Sequence, residues 1–111
     1  MYCGRDFSPQ ERGESEVIGL DFVNDLQTDE TLISSAWTIA VVSGKDTDPT
    51  DHLSGPSKVV APLFGTLKTA TIQRIGGILP GVTYRVGAVA ITTLGNTLKL
   101  WSHIRGVDDN I

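Results

Sequence analysis

The segment LPGVTYRV, residues 79–86, restricts the fold of this chain more than any other stretch of its sequence. Its order Leu-x-Gly-x-x-Tyr-x-Val matches a tyrosine corner, in which a turn delivers the chain into a strand of a two-sheet sandwich. Pro80 and Gly81 form the predicted turn. Tyr84 then packs inward, and its hydroxyl bonds back to the backbone near the turn, supplying a donor to a loop carbonyl. The motif predicts a structural role for Tyr84.

Apolar side chains recur at every second position in several other segments, which indicates strands with one buried face. We predict that Phe22, Trp37 and Tyr84 anchor the core, with Trp37 contributing the largest side chain. The residues predicted to face inward are Ile18, Leu20, Phe22, Trp37, Ile39, Val41, Val82, Tyr84, Val86, Ala88 and Ala90.

A hairpin is predicted near the end of the chain, with Gly95 and Asn96 as its two-residue loop. In the strand that follows, Leu98 and Leu100 face the core. The same alternation turns Trp101 to the opposite face, where it is exposed or at an interface.

Weaker patterns predict two more strands. Val59, Val60 and Leu63 form a short one, and Pro62 within it favours an edge position. The Thr-rich segment 67–75 is the other. Since no segment has a helical period of useful length, we predict an all-β fold, an antiparallel β-sandwich of about seven strands, similar to immunoglobulin and fibronectin-III domains.

The length of 111 residues fits one domain. The first fifteen residues contain Gly and Pro without an apolar period, and they are interpreted as an extended arm. The arm is either a frayed terminus or a segment that docks on a neighbouring subunit through Tyr2, Phe7 and Pro9. The predicted regions are this arm at 1–15, a sandwich at 16–106 and an acidic C-terminal tail at 107–111.

Charge and composition exclude several classes of partner. The net charge is −4, and the nine Lys and Arg are scattered singly without a basic patch, so nucleic acid is not expected. No apolar run is long enough for a membrane span, and no signal-peptide pattern opens the sequence. Cys3 is the only cysteine, which excludes an internal disulfide and a multi-cysteine zinc site and fits assembly in a reducing cytoplasm.

Catalytic patterns are missing from the sequence. It contains no GxxxxGK, GxSxG or HExxH motif, and His52 and His103 are the only imidazoles. A Ser-His-Asp arrangement would rest only on common residue types, and Cys3 lies in the predicted arm, far from any expected base. We therefore predict a protein without catalytic residues or a cofactor.

Asp46, Asp48 and Asp51 begin like a calcium-binding EF-hand loop. An EF-hand loop requires Gly at its sixth position and Glu at its twelfth. Counted from Asp46, these positions hold Asp51 and Ser57, so the sequence does not match an EF-hand. A looser calcium loop and a solvated acidic loop both remain as interpretations, and no metal site is assigned.

The connection 44–57 is polar and long enough to reach a partner. Trp101 is the strongest hot-spot candidate, because Trp is enriched at the centres of interfaces. Each candidate also has a purely structural interpretation. The candidate partner contacts are Tyr2, Phe7, Pro9, Asp46, Asp48, Asp51, His52 and Trp101.

Three segments follow one another in a recognisable order: DFSPQERGESEVIGLDF, ETLISSAWTIAVVSGKDTDP and RIGGILPGVTYRVGAVAITTLGNTLKLWSHI. They contain a Phe-x-Pro phrase, a Glu-Ser-Glu phrase, the pair Trp37-Thr38, a Gly-Gly-x-x-Pro-Gly-x-x-Tyr corner and a Thr-Thr-x-Gly-Asn hairpin. Across residues 6–104 this order resembles a family of small virion proteins of tailed bacteriophages, the phage fibre–tail adaptors.

The resemblance implies an Ig-like structural protein that joins fibres to the tail or neck. Its partners would be other virion proteins, and it would work as a symmetric homo-oligomer assembled in the host bacterial cytoplasm and located in the virion. No catalytic residue is implied. Two alternatives remain open: a capsid decoration or head-fibre protein, and a carbohydrate-binding Ig-like module.

Overall fold

A computed structural model describes residues 1–62 and 67–108. A 3-10 turn at Val23–Asp25 follows the second strand, and another at Pro49–His52 precedes the fourth. No helix in these residues is long and apolar enough to cross a membrane. The strands are β1 (Gln10–Glu11), β2 (Ser15–Asp21), β3 (Leu32–Ser43), β4 (Leu53–Val60), β5 (Ala70–Gly76), β6 (Thr83–Thr92) and β7 (Thr97–Val107).

The strands form a four-stranded sheet in the order β1-β7-β6-β3 and a three-stranded sheet in the order β2-β5-β4. All neighbours are antiparallel except β1 and β7. Strands β7-β6-β3 and β2-β5-β4 have the G-F-C and B-E-D orders of the immunoglobulin sandwich. The predicted fold class, an antiparallel β-sandwich of about seven strands, is confirmed.

The core lies between the two sheets. Phe22 and Tyr84 are fully buried, as predicted. Trp37 faces inward but is only half-buried, because it lies on the edge strand β3, where it packs against both halves of the core. The remaining buried apolar side chains come mainly from the predicted inward positions of β2, β3, β6 and β7.

The prediction of an irregular connection across 44–57 is wrong for its second half. A 3-10 turn ends at His52, and β4 begins at Leu53. Its alternation is hidden in the sequence by a register shift between Ser54 and Lys58, where Gly and Pro interrupt the strand. The predicted strand residue Leu63 lies outside the described residues.

The predicted hairpin is present, but its loop is longer than two residues. Strand β6 ends at Thr92 and β7 begins at Thr97, with Ile91 opposite Thr97. The hydroxyl oxygen of Thr92 accepts hydrogen bonds from the N–H groups of Leu94 at 3.3 Å and Asn96 at 3.1 Å. These bonds stabilise the wider turn.

The N-terminal segment lies along β7 of its own chain. The N–H of Cys3 donates to the carbonyl of Trp101 at 2.8 Å, and the N–H of Phe7 donates to that of His103 at 2.9 Å. Phe7 packs against both halves of the core, and Gln10 in β1 is buried. The segment therefore lies along the four-stranded sheet of its own chain and contributes β1 to it. The predicted division into an arm at 1–15 and a sandwich at 16–106 stays a prediction.

Only the beginning of the predicted acidic tail is described. Asp108 is exposed and forms an ion pair with Arg12 at 2.7 Å. Residues 109–111 of the predicted tail lie outside the described residues.

Candidate functional site

Asp46, Tyr84 and His52 form a hydrogen-bonded cluster at the tyrosine corner. The hydroxyl of Tyr84 donates to Oδ2 of Asp46 at 2.6 Å and accepts from the N–H of Leu79 at 3.1 Å. Nε2 of His52 lies 2.6 Å from the same carboxylate oxygen, and its Nδ1 lies 3.2 Å from the carbonyl oxygen of Gly76. Through these hydrogen bonds the cluster holds the connection between β3 and β4 against the start of β6 and the end of β5.

This geometry corrects two predictions. The Tyr84 hydroxyl does bond to the backbone near the turn, but it accepts from an N–H instead of donating to a loop carbonyl. Asp46 and His52 are not in a solvated loop that reaches a partner, because their side chains are only 7% and 13% exposed. Asp48 and Asp51 in the same connection are exposed.

Two members of the cluster, Asp46 and Tyr84, have shifted pKa values. The Tyr84 hydroxyl lowers the pKa of Asp46, and this effect together with His52 outweighs burial, which raises it. Burial, with the hydrogen bond to Asp46, raises the pKa of Tyr84 to about 12. Both shifts lead away from neutrality, so Asp46 is charged and Tyr84 is protonated at neutral pH.

A second buried carboxylate, Glu30, holds the opposite end of the sandwich. It is 2% exposed and accepts hydrogen bonds from the Thr92 hydroxyl, the N–H of Gln27 and the Asn96 amide. These donors, the Thr92 hydroxyl above all, lower the pKa of Glu30. Sequence reasoning missed this residue because it lies in a polar segment that has no periodicity.

Acid should weaken the fold as these two carboxylates become protonated. Folding depresses the pKa of Asp46 below 3.8 and that of Glu30 below 4.5, so the stability that they contribute is present above those values. It is lost as the pH falls through the folded-state pKa values. Urea unfolding from neutral pH down to strongly acidic pH checks this. Asp46→Asn and Glu30→Gln should each reduce the decrease in the free energy of unfolding at acidic pH. The same decrease as in the wild type in both variants would contradict the assignment.

The outer face of the four-stranded sheet gathers aromatic and cationic side chains around Trp101. The ring centroid of Trp101 lies 5.0 Å from that of Tyr2 and 5.3 Å from that of His103. The guanidinium carbon of Arg85 lies over the Trp101 ring, 3.9 Å from its centroid. We call this surface the Trp101 face; its side chains are Tyr2, Arg85, Lys99, Trp101, His103 and Arg105.

Gly87 determines the shape of the Trp101 face. It pairs with Trp101 across β6 and β7, and a Cβ atom there would lie 2.8 Å from the carbonyl oxygen of Leu100 and 2.9 Å from Cβ of Trp101. Without that Cβ, a hollow of about 290 Å³ lies over the sheet. Its border includes Thr38, Ala40, Arg85, Val89, Lys99 and Trp101.

The Trp101 face contains three exposed cations and one carboxylate, that of Asp6, which accepts from the Tyr2 hydroxyl at 2.6 Å and lies 3.6 Å from Nδ1 of His103. Strands β3, β6 and β7 contain no Asp or Glu. Arg85, Lys99 and Arg105 are exposed and alternate with buried neighbours, so their side chains leave the sheet on its outer side. Strand pairing therefore brings three of the scattered cations to the same side of one sheet.

The structure places the remaining predicted partner contacts in three different surroundings. Tyr2 and Trp101 come together on the Trp101 face, whereas Phe7 packs into the core. Pro9 is exposed and borders a shallow groove that also contains Arg105. Sequence reasoning therefore found the aromatic part of the surface and missed its cations.

Residues 1–62 and 67–108 contain no group of three or more His, Cys, Asp or Glu side chains that could hold a metal ion. Asp46, a candidate ligand of the looser calcium loop, points instead to Tyr84 and His52. No protein-family model, curated protein or solved structure matches the chain.

Proposed function

We propose that this chain is a structural virion protein of a tailed phage, an adaptor that joins fibres to the tail or neck. The resemblance across residues 6–104 and the Ig-like sandwich support this proposal. The observation that carries it is the Trp101 face, where an aromatic cluster and three cations occupy the outer side of one sheet of an acidic protein. Trp, Tyr and Arg are the residue types most enriched where proteins bind one another.

The geometry favours a protein partner over a sugar. A carbohydrate ring needs an uncovered aromatic face on which to stack. The guanidinium of Arg85 lies over the Trp101 ring, and Tyr2 and His103 flank it. A carbohydrate-binding module is therefore the weaker candidate, and a glycan array with Trp101→Ala as its control tests it directly.

Immunogold electron microscopy of the phage that encodes this chain locates the protein. Label confined to the neck or tail is the expected result. Label over the whole head would replace the adaptor with a capsid decoration protein. Absence of label from both intact and disrupted particles would remove the virion role altogether.

Trp101→Ala should weaken the binding of the protein to its partner without unfolding it. Truncation of a central interface Trp weakens binding by about thirtyfold or more, so particles of this variant should retain fewer fibres or less of the protein itself. The matched control is Val17→Ala, which shortens an exposed apolar side chain on β2. Thermal unfolding of the purified variants verifies that both fold. Equal fibre loss in both variants, or no loss in either, would contradict the assignment of the Trp101 face.

A further inference from the structure

We propose that the open edge of β2 binds an extended, positively charged segment of another protein, which adds to the three-stranded sheet as a further strand. In this mode of recognition, main-chain hydrogen bonds provide the affinity and side chains provide the selectivity. The inference goes beyond the proposed function, since the Trp101 face lies on the four-stranded sheet and this edge belongs to the other one.

Strand β2 is an edge strand that bonds to β5 alone. The N–H of Gly77 donates to the carbonyl of Glu14 at 3.1 Å, and the N–H of Phe22 donates to that of Thr69 at 2.9 Å. Hydrogen-bonded and non-hydrogen-bonded pairs alternate along an antiparallel ladder, and the register across β2 has no shift. The even-numbered residues of β2 therefore bond to β5, and the odd-numbered ones direct their N–H and C=O groups away from it.

The outward backbone groups belong to four residues: Ser15, Val17, Gly19 and Asp21. All four residues are exposed. Within residues 1–62 and 67–108, their outward N–H and C=O groups have no backbone partner. They form a row along about 20 Å of strand. Such a row on an exposed edge is a template with which the backbone of another chain can pair.

The other sheet edges in the described part of the chain are less suited to strand addition. Strand β1 has only two residues, and β4 is interrupted by its register shift between Ser54 and Lys58. Strand β3 has register shifts near both ends, and the carbonyl of Ser35 within it already accepts from the Ser57 hydroxyl. Short and irregular strands are common protections of an edge. Strand β2 instead has seven residues, a continuous register and no Pro or Lys.

Exposed carboxylates determine the charge of the partner. Glu14, Glu16 and Asp21 are exposed along β2, and no Lys, Arg or His occurs from residue 13 to residue 44. Opposite charges on directly paired residues stabilise two strands, whereas like charges destabilise them. A cation opposite Glu16 therefore favours pairing. A second copy of β2 is a poor partner, because it would bring the same carboxylates together.

Arg74 and Arg12 lie near β2 without compensating these carboxylates. Arg74, on β5, donates to the hydroxyl of Ser15 at 3.2 Å. Alternation along the strands places Arg74 on the outer side of the sheet and Glu16 on the inner side. Arg12 is paired with Asp108 at 2.7 Å. The negative charge of the edge is thus available to a cationic strand.

Amide hydrogen exchange measured by NMR tests the proposal, with a synthetic peptide of four Lys–Val repeats as the probe. In the free protein, the N–H groups of Val17 and Gly19 should exchange rapidly and those of Ile18 and Leu20 slowly. Saturating peptide should slow exchange at Val17 and Gly19 by about tenfold or more, because both amides become hydrogen-bonded. Exchange at these two amides that is the same with and without the peptide would overturn the inference.

Val17→Pro removes one outward N–H and leaves the bonds of the even-numbered residues to β5 in place. It should weaken peptide binding by about tenfold or more, since a backbone bond is lost and the ring obstructs the edge. Val17→Ala is the matched control, because it keeps the N–H, and it should bind like the wild type. Thermal unfolding verifies that both variants fold. Equal binding by the two variants would contradict the role of the edge.

Glu16→Lys tests the charge without altering the backbone. It should weaken binding of the Lys–Val peptide by about fivefold, because like charges then lie opposite each other. Asp51→Lys, which makes the same charge change in the turn before β4, should have little effect. A Glu–Val peptide should protect Val17 and Gly19 much less than the Lys–Val peptide. Equal protection by both peptides would overturn the assigned charge of the partner.

These measurements use the purified chain and are independent of any role in a virion. Gold label at the neck or tail together with an edge that binds no peptide would leave the proposed function standing and overturn this inference. Peptide protection of the edge without label on virions would overturn the proposed function alone.

Discussion

Gly106→Ala is expected to destabilise the domain by about 3 kcal/mol or more, because there is no space for even one methyl group. A Cβ atom at this position would lie 2.1 Å from the carbonyl oxygen of Leu79 and 2.7 Å from its carbon. Both obstacles are backbone atoms. The N–H of Gly81 donates to the carbonyl of Gly106 at 2.9 Å, and the N–H of Gly106 donates to that of Val82 at 2.9 Å, so separation of the two segments would lose both bonds.

Urea unfolding of the purified variant measures the loss. Gly19→Ala is the matched control, since it also adds a methyl group within a strand, but the nearest atoms, Cγ2 of Ile72 and the carbonyl oxygen of Thr71, lie at 3.2 Å and 3.3 Å instead of 2.1 Å. The control should lose clearly less stability than Gly106→Ala. Equal losses would show that the close approach at the tyrosine corner is not the cause.

Tyr84→Phe is expected to destabilise the fold by about 2–3 kcal/mol, more than an average hydrogen bond contributes, because a buried carboxylate and a backbone N–H each lose a hydrogen bond. The carboxylate of Asp46 loses the hydroxyl donor at 2.6 Å, and the N–H of Leu79 loses its acceptor. Calorimetry and urea unfolding both report the change. The ring itself is kept, so packing of the core is hardly affected.

Tyr2 offers a close control for Tyr84. Its hydroxyl also donates to an aspartate, Asp6, at 2.6 Å, but Tyr2 and its partner are exposed. Tyr2→Phe should therefore leave the free energy of unfolding unchanged within error. If both tyrosine variants behave alike, burial does not give the Tyr84–Asp46 bond its strength. A double-mutant cycle of Tyr84 with Asp46 then measures the coupling between them.

The sequence predicts the fold where each residue's own neighbours determine its orientation. Strand β3, Leu32–Ser43, can be predicted because half of its residues are β-branched or aromatic, and because Trp37, Ile39 and Val41 recur at every second position. Tyr84 is predicted because the corner motif is local. Strand β4 begins six residues earlier than its predicted start at Val59, since Gly55 and Pro56 break its pattern and only pairing with β5 sustains it.

The candidate site depends on distances that a linear pattern does not contain. Arg85 and Lys99 come onto one face only when the register of β6 against β7 is fixed. The burial of Asp46 likewise depends on the path of the connection over the corner, since its residue type is typical of solvated loops. The side chain of Trp101 was predicted to point away from the core, because side chains alternate along a strand whatever the neighbouring strands are. Trp101 does lie on the outer side of the sheet.

The docking of the N-terminal segment on β7 has a consequence for behaviour at high concentration. An uncovered edge strand presents unpaired N–H and C=O groups to which other chains can add. Here residues 1–11 occupy that position beside the 11-residue strand β7 and take up backbone groups of Trp101 and His103. The segment thereby covers this edge of the folded protein, and its removal would leave the N–H and C=O groups of Trp101 and His103 open to pairing with other chains.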